Sequence, residues 1–281
     1  MMLGFLFKKL SDKTDDMTFW EHADALRLHL IRAILAIFVL SIAAFFFKDF
    51  LFGTVIMGPA KTDFFSYRLL CRIGNYFNAP SLCIGEIPLK LINTELGGQL
   101  RWHIVLSVVA GAVVAFPYIL RQLWVFIKPA LKPNEIKSSR IMIFWMGLLF
   151  ITGILFGYYV ILPLTVVFLA NYQLNSEIKN FITISSYISS ATMLPLSIGL
   201  VFELPVLVFF MSKIGLLSVS FLKKNRKFAI VIVLLIAGII TPSTDMFTQL
   251  LVSFPLYALY ELSIIVAKRV ERKKKSEELA G

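Results

Sequence analysis

The chain has 281 residues, 58% of them hydrophobic and 16% charged, with 26 phenylalanines, a mean hydropathy of +0.81 and a formal net charge of +11. This composition excludes a soluble globular domain and indicates a polytopic, all-α membrane protein. Nucleic acid is not the expected partner, because the basic residues fall between apolar runs, where topology and anionic membrane lipid account for them.

Met1–Leu10 has an apolar start followed by lysines, the reverse order of a cleavable signal peptide, and reads as a short helix lying on the membrane surface. Thr18-Phe-Trp-Glu21 fits a capping box, so a helix is expected to begin there and run into the first span. Its polar side carries Glu21, Asp24 and Arg27. Two readings stand: a solvated face with an Asp24–Arg27 pair, or a carboxylate patch that receives a cationic partner.

Six apolar runs follow: Ile31–Phe47, Ile104–Leu120, Ile141–Leu162, Tyr187–Ser212, Phe228–Ile240 and Met246–Ala267. A spanning backbone must satisfy its own polar groups, so each run is expected to be a helix. The expectation is a single membrane domain, 1–281, of six spans. The fifth run, at 13 residues and ~20 Å, is short for a ~30 Å hydrocarbon core. Prolines 117, 163, 195, 205 and 255 lie within runs or at their ends and are expected to kink the helices.

Lys and Arg alternate along the connections. The N-terminal segment carries five, Lys48–Arg101 six over a long loop, Arg121–Arg140 five, the next connection only Lys179, Lys213–Lys227 five, Thr241–Asp245 none, and the tail 268–281 six. Among short loops the rich ones face the cytoplasm, which predicts both termini there. The loop 48–101 is then extracytoplasmic. It holds the only two cysteines, Cys71 and Cys83. In an oxidising compartment they are either unpaired thiols or a disulfide closing a loop of about a dozen residues, worth ~3 kcal/mol.

Glu203 is the most informative residue. It is the only charge in Tyr187–Ser212, and Lys213 follows ten residues later, ~15 Å along a helix. That places it near mid-membrane, where a carboxylate costs at least ~2.5 kcal/mol on insertion scales and usually marks function. Pro205 has no N–H and frees the carbonyl of Val201, adding polarity beside it. Two readings are open, a functional site and a carboxyl that joins two helices.

Catalysis and cofactor or metal binding are not expected. The three histidines lie at or beyond membrane edges, one mid-membrane acid cannot form an aspartyl dyad, and no HExxH, P-loop or GxGxxG occurs. Glu135 is the only acid in the basic connection Arg121–Arg140, and pattern alone does not separate an exposed ion pair from a recognition role.

Six ordered segments nevertheless match one family: FWEHADALRLHL, AFPYILRQLWVFIKPALKPNE, GYYVILPL, VFELPV around Glu203, ITPSTDMFTQ, and LYELS around Glu261. The chain resembles the TatC family, the six-span receptor subunit of the twin-arginine protein translocase. The resemblance implies binding of the paired arginines of signal peptides on folded cargo at the cytoplasmic face. It further implies oligomeric assembly with TatA-like and TatB-like single-span partners, and transport driven by the proton motive force. By analogy Glu135 is the loop acid that recognises arginine. The family pattern HLxELR reads His22-Ala23-Asp24-Ala25-Leu26-Arg27 here, so Ala25 takes the glutamate position and either Asp24 or Glu21 substitutes. Glu203, with Pro205, matches the intramembrane site for partner helices, and Asp245 and Gln249, which match polar residues at the outer end of the last helix pair, are expected to serve partner docking with them. The rival is a proton-coupled secondary transporter of a small solute, against which stand a lone intramembrane acid and no visible repeat.

Overall fold

The computed structural model describes residues 19–79, 83, 91–127, 133–173, 175, 181–241 and 245–280, several helix ends by their backbone alone. The expected surface helix at Met1–Leu10 and the Thr18 cap lie outside the described residues.

The first helix, α1 (Phe19–Phe46), passes without interruption from the polar FWEHAD segment into the first apolar run. The chain then forms a π-helical turn, Phe50–Ile56, a 3-10 turn, Gly58–Ala60, a short amphipathic helix, α2 (Phe65–Tyr76), and β1 (Leu91–Ile92) before α3 (Gly98–Ile127). The third run is α4 (Pro133–Phe156), a π-helical segment, Gly157–Ile161, and α5 (Leu162–Asn171). The short β2 (Ile182–Thr183) pairs in parallel with β1, Leu91 opposite Ile182. The fourth run is two helices, α6 (Ile184–Val201) and α7 (Leu204–Lys213). A small helix, α8 (Val219–Lys224), leads to α9 (Arg226–Ile240) and α10 (Met246–Ala280).

Five helical stretches among the described residues are long and apolar enough to cross a membrane. The fifth apolar run, α9, is a helix of 15 residues, ~22 Å, below that length. One boundary differs from expectation: the segment 268–280, taken from its basic composition as a tail, continues α10 as helix.

Local chemistry sets the helix ends. Thr183 accepts from Ser186 N–H at 3.2 Å and Ser218 from Phe221 N–H at 3.2 Å, each satisfying an orphan donor in a first turn. After α7, Gly215 takes φ +83°, and Leu216 N–H returns to the Met211 carbonyl at 2.9 Å, a glycine C-cap. Pro163 cannot donate to the Tyr159 carbonyl, and that carbonyl instead accepts Ser66 Oγ–H at 2.5 Å.

This last bond helps fasten the described parts of the loop 48–101 over one end of the bundle, the loop end. Tyr158 donates to the Val55 carbonyl at 2.6 Å and Tyr187 to that of Ile56 at 2.8 Å, while Phe64 stacks on Tyr159. Cys71 and Cys83 are joined by a disulfide that staples α2 to the chain after it. Mass spectrometry of unreduced protein is expected to recover the linked Cys71 and Cys83 peptides. Two free thiols in protein from the native membrane would contradict the pairing.

The main core gathers at the loop end, from Ile56, Trp102, Leu162, Ile188, Leu194 and Val252 among others. A smaller cluster at the opposite, basic end joins Val208, Leu222, Ile264 and Ala267. Helix α1 lies chiefly along α3 among the described residues, with Gly111 admitting the Ser41 backbone: a Cβ there would stand 2.9 Å from Ser41 Cα. Likewise α4 and its π-helical segment press on α6, where a Cβ on Gly153 would meet Gly199 Cα at 2.8 Å and one on Gly157 would meet Pro195 Cα at 2.7 Å. Small residues at such spacing let membrane helices approach backbone to backbone.

Candidate intramembrane and recognition sites

Glu203 sits where the fourth run breaks. The helix stops at Val201 and restarts at Leu204, with Pro205 in its first turn. The break redirects the chain. Before it, α6 packs along α4, and after it, α7 packs along α10 and scarcely touches α4. A cleft therefore opens between α3, α4 and α7 on the basic side of the break. It is a cavity of about 180 Å³ lined by Leu123, Trp124, Met146, Val206, Phe210 and Glu203, its wall apolar except for that carboxyl. Both Glu203 carboxyl oxygens are buried, and among the described residues neither makes a hydrogen bond of full geometry, though the Phe150 backbone on α4 stands close enough to interact with the carboxyl. An unsatisfied polar group in a low-dielectric site costs of order 1–3 kcal/mol, so the carboxyl is an anchor for any group that brings a complementary hydrogen bond into the cleft.

The other two polar residues grouped with Glu203 by sequence line a different place. Asp245 caps α10, accepting Thr248 N–H at 2.7 Å, and Gln249 Nε2–H donates to the Leu234 carbonyl on α9 at 2.9 Å. Gln249 thus ties α10 to α9 at the loop end, while the Asp245 bond closes the first turn of α10 itself. At the basic end the same pair is fastened by Arg226, which bonds Glu261 at 2.7 Å, while Tyr257 donates to the other Glu261 oxygen at 3.1 Å. Neither Asp245 nor Gln249 lines the Glu203 cleft.

Of the three acids assigned to arginine recognition, Asp24 is exposed on the first turns of α1. The side chains of Glu21 and Glu135 lie outside the described residues, with their backbones in the first turn of α1 and of α4. One polar contact near this face was not anticipated. His29 Nδ1–H donates to Gln122 Oε1 at 2.6 Å, clamping α1 to α3 just inside the level of Asp24. Among the described residues no cluster of His, Cys, Asp and Glu is arranged to hold a metal ion.

Long apolar helices, a proline-broken span and a carboxyl buried at its break define a polytopic α-helical membrane protein with a partly open bundle. The family model for the Sec-independent protein translocase protein (TatC) matches residues 21–255. The TatC protein of Blattabacterium sp. subsp. Periplaneta americana is 37% identical over 267 residues, covering 94% of this chain and 100% of that one. The TatC protein of Carboxydothermus hydrogenoformans is 34% identical over 263 residues, with coverage of 93% and 97%. A crystal structure of the twin-arginine translocase receptor TatC matches with a TM-score of 0.69 at 30% identity, covering 89% of this chain and 100% of that one. A second, in DDM, reaches 0.72 over 88% and 99%. The chain belongs to the TatC family. It is a component of a Sec-independent protein translocase and not an enzyme.

Proposed function

We propose that this chain is the twin-arginine signal-peptide receptor of its translocase, and the platform on which single-span TatA-like and TatB-like subunits assemble to move folded proteins with the proton motive force. Both termini then face the cytoplasm of a bacterial inner membrane, as the Lys/Arg alternation requires. Signal peptides meet Glu135 together with Asp24 or Glu21. Carboxylates held on an otherwise basic face select guanidinium, whose planar fork pairs bidentately where lysine cannot.

The observation that carries the assembly half of this reading is the Glu203 cleft: an apolar, one-sided cavity with a buried, unsatisfied carboxyl at its head. A partner helix with one polar side chain fits that chemistry, because membrane-embedded hydrogen bonds contribute roughly 0.6–2 kcal/mol. In native membranes, crosslinking from Leu207 on the cleft wall to a single-span subunit tests it. Glu203→Gln is expected to keep most of the crosslink, since an amide both donates and accepts. Glu203→Ala is expected to lose about three- to tenfold while leaving signal-peptide binding intact. Equal crosslinking in wild type and Glu203→Ala would remove the docking role. Purified protein that moves protons in step with a small solute would instead favour a transporter.

A further inference from the structure

A second concave surface lies away from the Glu203 cleft, on the lipid side of the α1–α3 pair. It is a groove of about 540 Å³ lined by Arg32, Leu35, Val39, Leu40, Val114 and Tyr118, among others. The two helices run antiparallel, with Ser41 against Gly111 and His29 bonded to Gln122. Arg32 and Tyr118 therefore stand at one level, at the basic end of the groove, and the aliphatic residues stretch from them toward the loop end. Arg121 is three residues beyond Tyr118 on the same face of α3, and it is exposed. The groove thus has the Arg32 guanidinium and a phenol at one end, with Arg121 one turn beyond its rim, and an apolar trough running about 12 Å, from Arg32 to Leu40, at the other.

We propose that this groove binds an anionic phospholipid, one acyl chain in the trough and the phosphate at Arg32 and Arg121. Charge argues for the occupant, since two arginines at an interface recognise phosphate bidentately and anionic headgroups concentrate near basic residues. The acyl chain would lie along α1, whose main partner among the described residues is α3.

The test uses full-length protein in nanodiscs containing phosphatidylglycerol with a photoreactive acyl chain, and adducts mapped by mass spectrometry. Phe254, an exposed residue on the lipid face of α10, serves as the reference for unspecific contact. Adducts at Leu35–Leu40 and Val114 are expected to exceed the reference severalfold with phosphatidylglycerol and not with phosphatidylcholine. Arg32→Gln with Arg121→Gln is expected to reduce them about tenfold or more, while Lys268→Gln with Arg269→Gln leaves them unchanged. Val114→Trp, which fills the trough from an exposed position, is expected to abolish them without unfolding the helix pair. Equal adducts from both lipids, insensitivity to the two arginines, or an equal effect of the α10 substitutions would overturn the proposal. So would capture of a polypeptide in place of lipid at a photoreactive residue introduced at Val39 in native membranes.

Discussion

Alanine at Glu135 and Asp24 together is expected to weaken binding of a twin-arginine peptide at least a hundredfold. Each charge-assisted contact contributes about 1.5–3 kcal/mol, a tenfold to hundredfold change in affinity, and the two acids lie on separate helices, α4 and α1. Glu135→Ala alone is expected to have the larger single effect, because it is the only acid among the five basic residues of its connection. If Glu21 and not Asp24 takes the position vacated by Ala25, Glu21→Ala carries the second loss in place of Asp24→Ala. Titration of a fluorescent peptide against detergent-purified variants measures this. Unchanged affinity in the Glu135→Ala, Asp24→Ala, Glu21→Ala triple variant would refute the assignment of these acids.

Gly157→Ala is expected to destabilise the helical bundle by about 1–3 kcal/mol, and Gly157→Leu to prevent recovery of folded protein. The added Cβ would stand 2.7 Å from Pro195 Cα, a backbone atom that cannot swing aside as a flexible side chain would. Gly147, earlier in the same apolar run on α4, is the control. A Cβ on Gly147 meets nothing within 4 Å, so Gly147→Ala is expected to be neutral or to stabilise by up to ~1 kcal/mol through helix propensity. Thermal unfolding of the purified variants separates the two. A similar midpoint for Gly157→Ala and Gly147→Ala would show that α4 and α6 do not pack backbone to backbone as described.

The long helices were legible in the sequence because membrane-spanning backbone has so few solutions that an apolar run almost dictates helix. Glu203 was legible for a related reason: a lone charge in an apolar run has no ordinary explanation. Pro205 also marked the break at Phe202–Glu203, since a proline cannot supply the N–H that would carry the helix through. The consequence of that break was not legible. That α7 leaves α4 for α10 and opens a cleft depends on the partner of each helix, which no local pattern encodes. The same is true of α2 and the β1–β2 pair, whose bonds reach residues about 90 positions away. An Asp directly before an apolar run is also an N-cap signature, and Asp245 fills that local role by accepting Thr248 N–H. Gly153-Ile-Leu-Phe-Gly157 carried a small-residue signal for close helix approach that composition alone obscured.

Equilibrium binding of a signal peptide to the purified chain, with paired arginines and with paired lysines at the same two positions, tests the receptor reading most directly. Fixed carboxylates that engage a planar guanidinium predict that the arginine peptide binds at least tenfold more tightly at physiological salt. Equal affinity for the two peptides would reduce the interaction to attraction between opposite charges and contradict the proposed function.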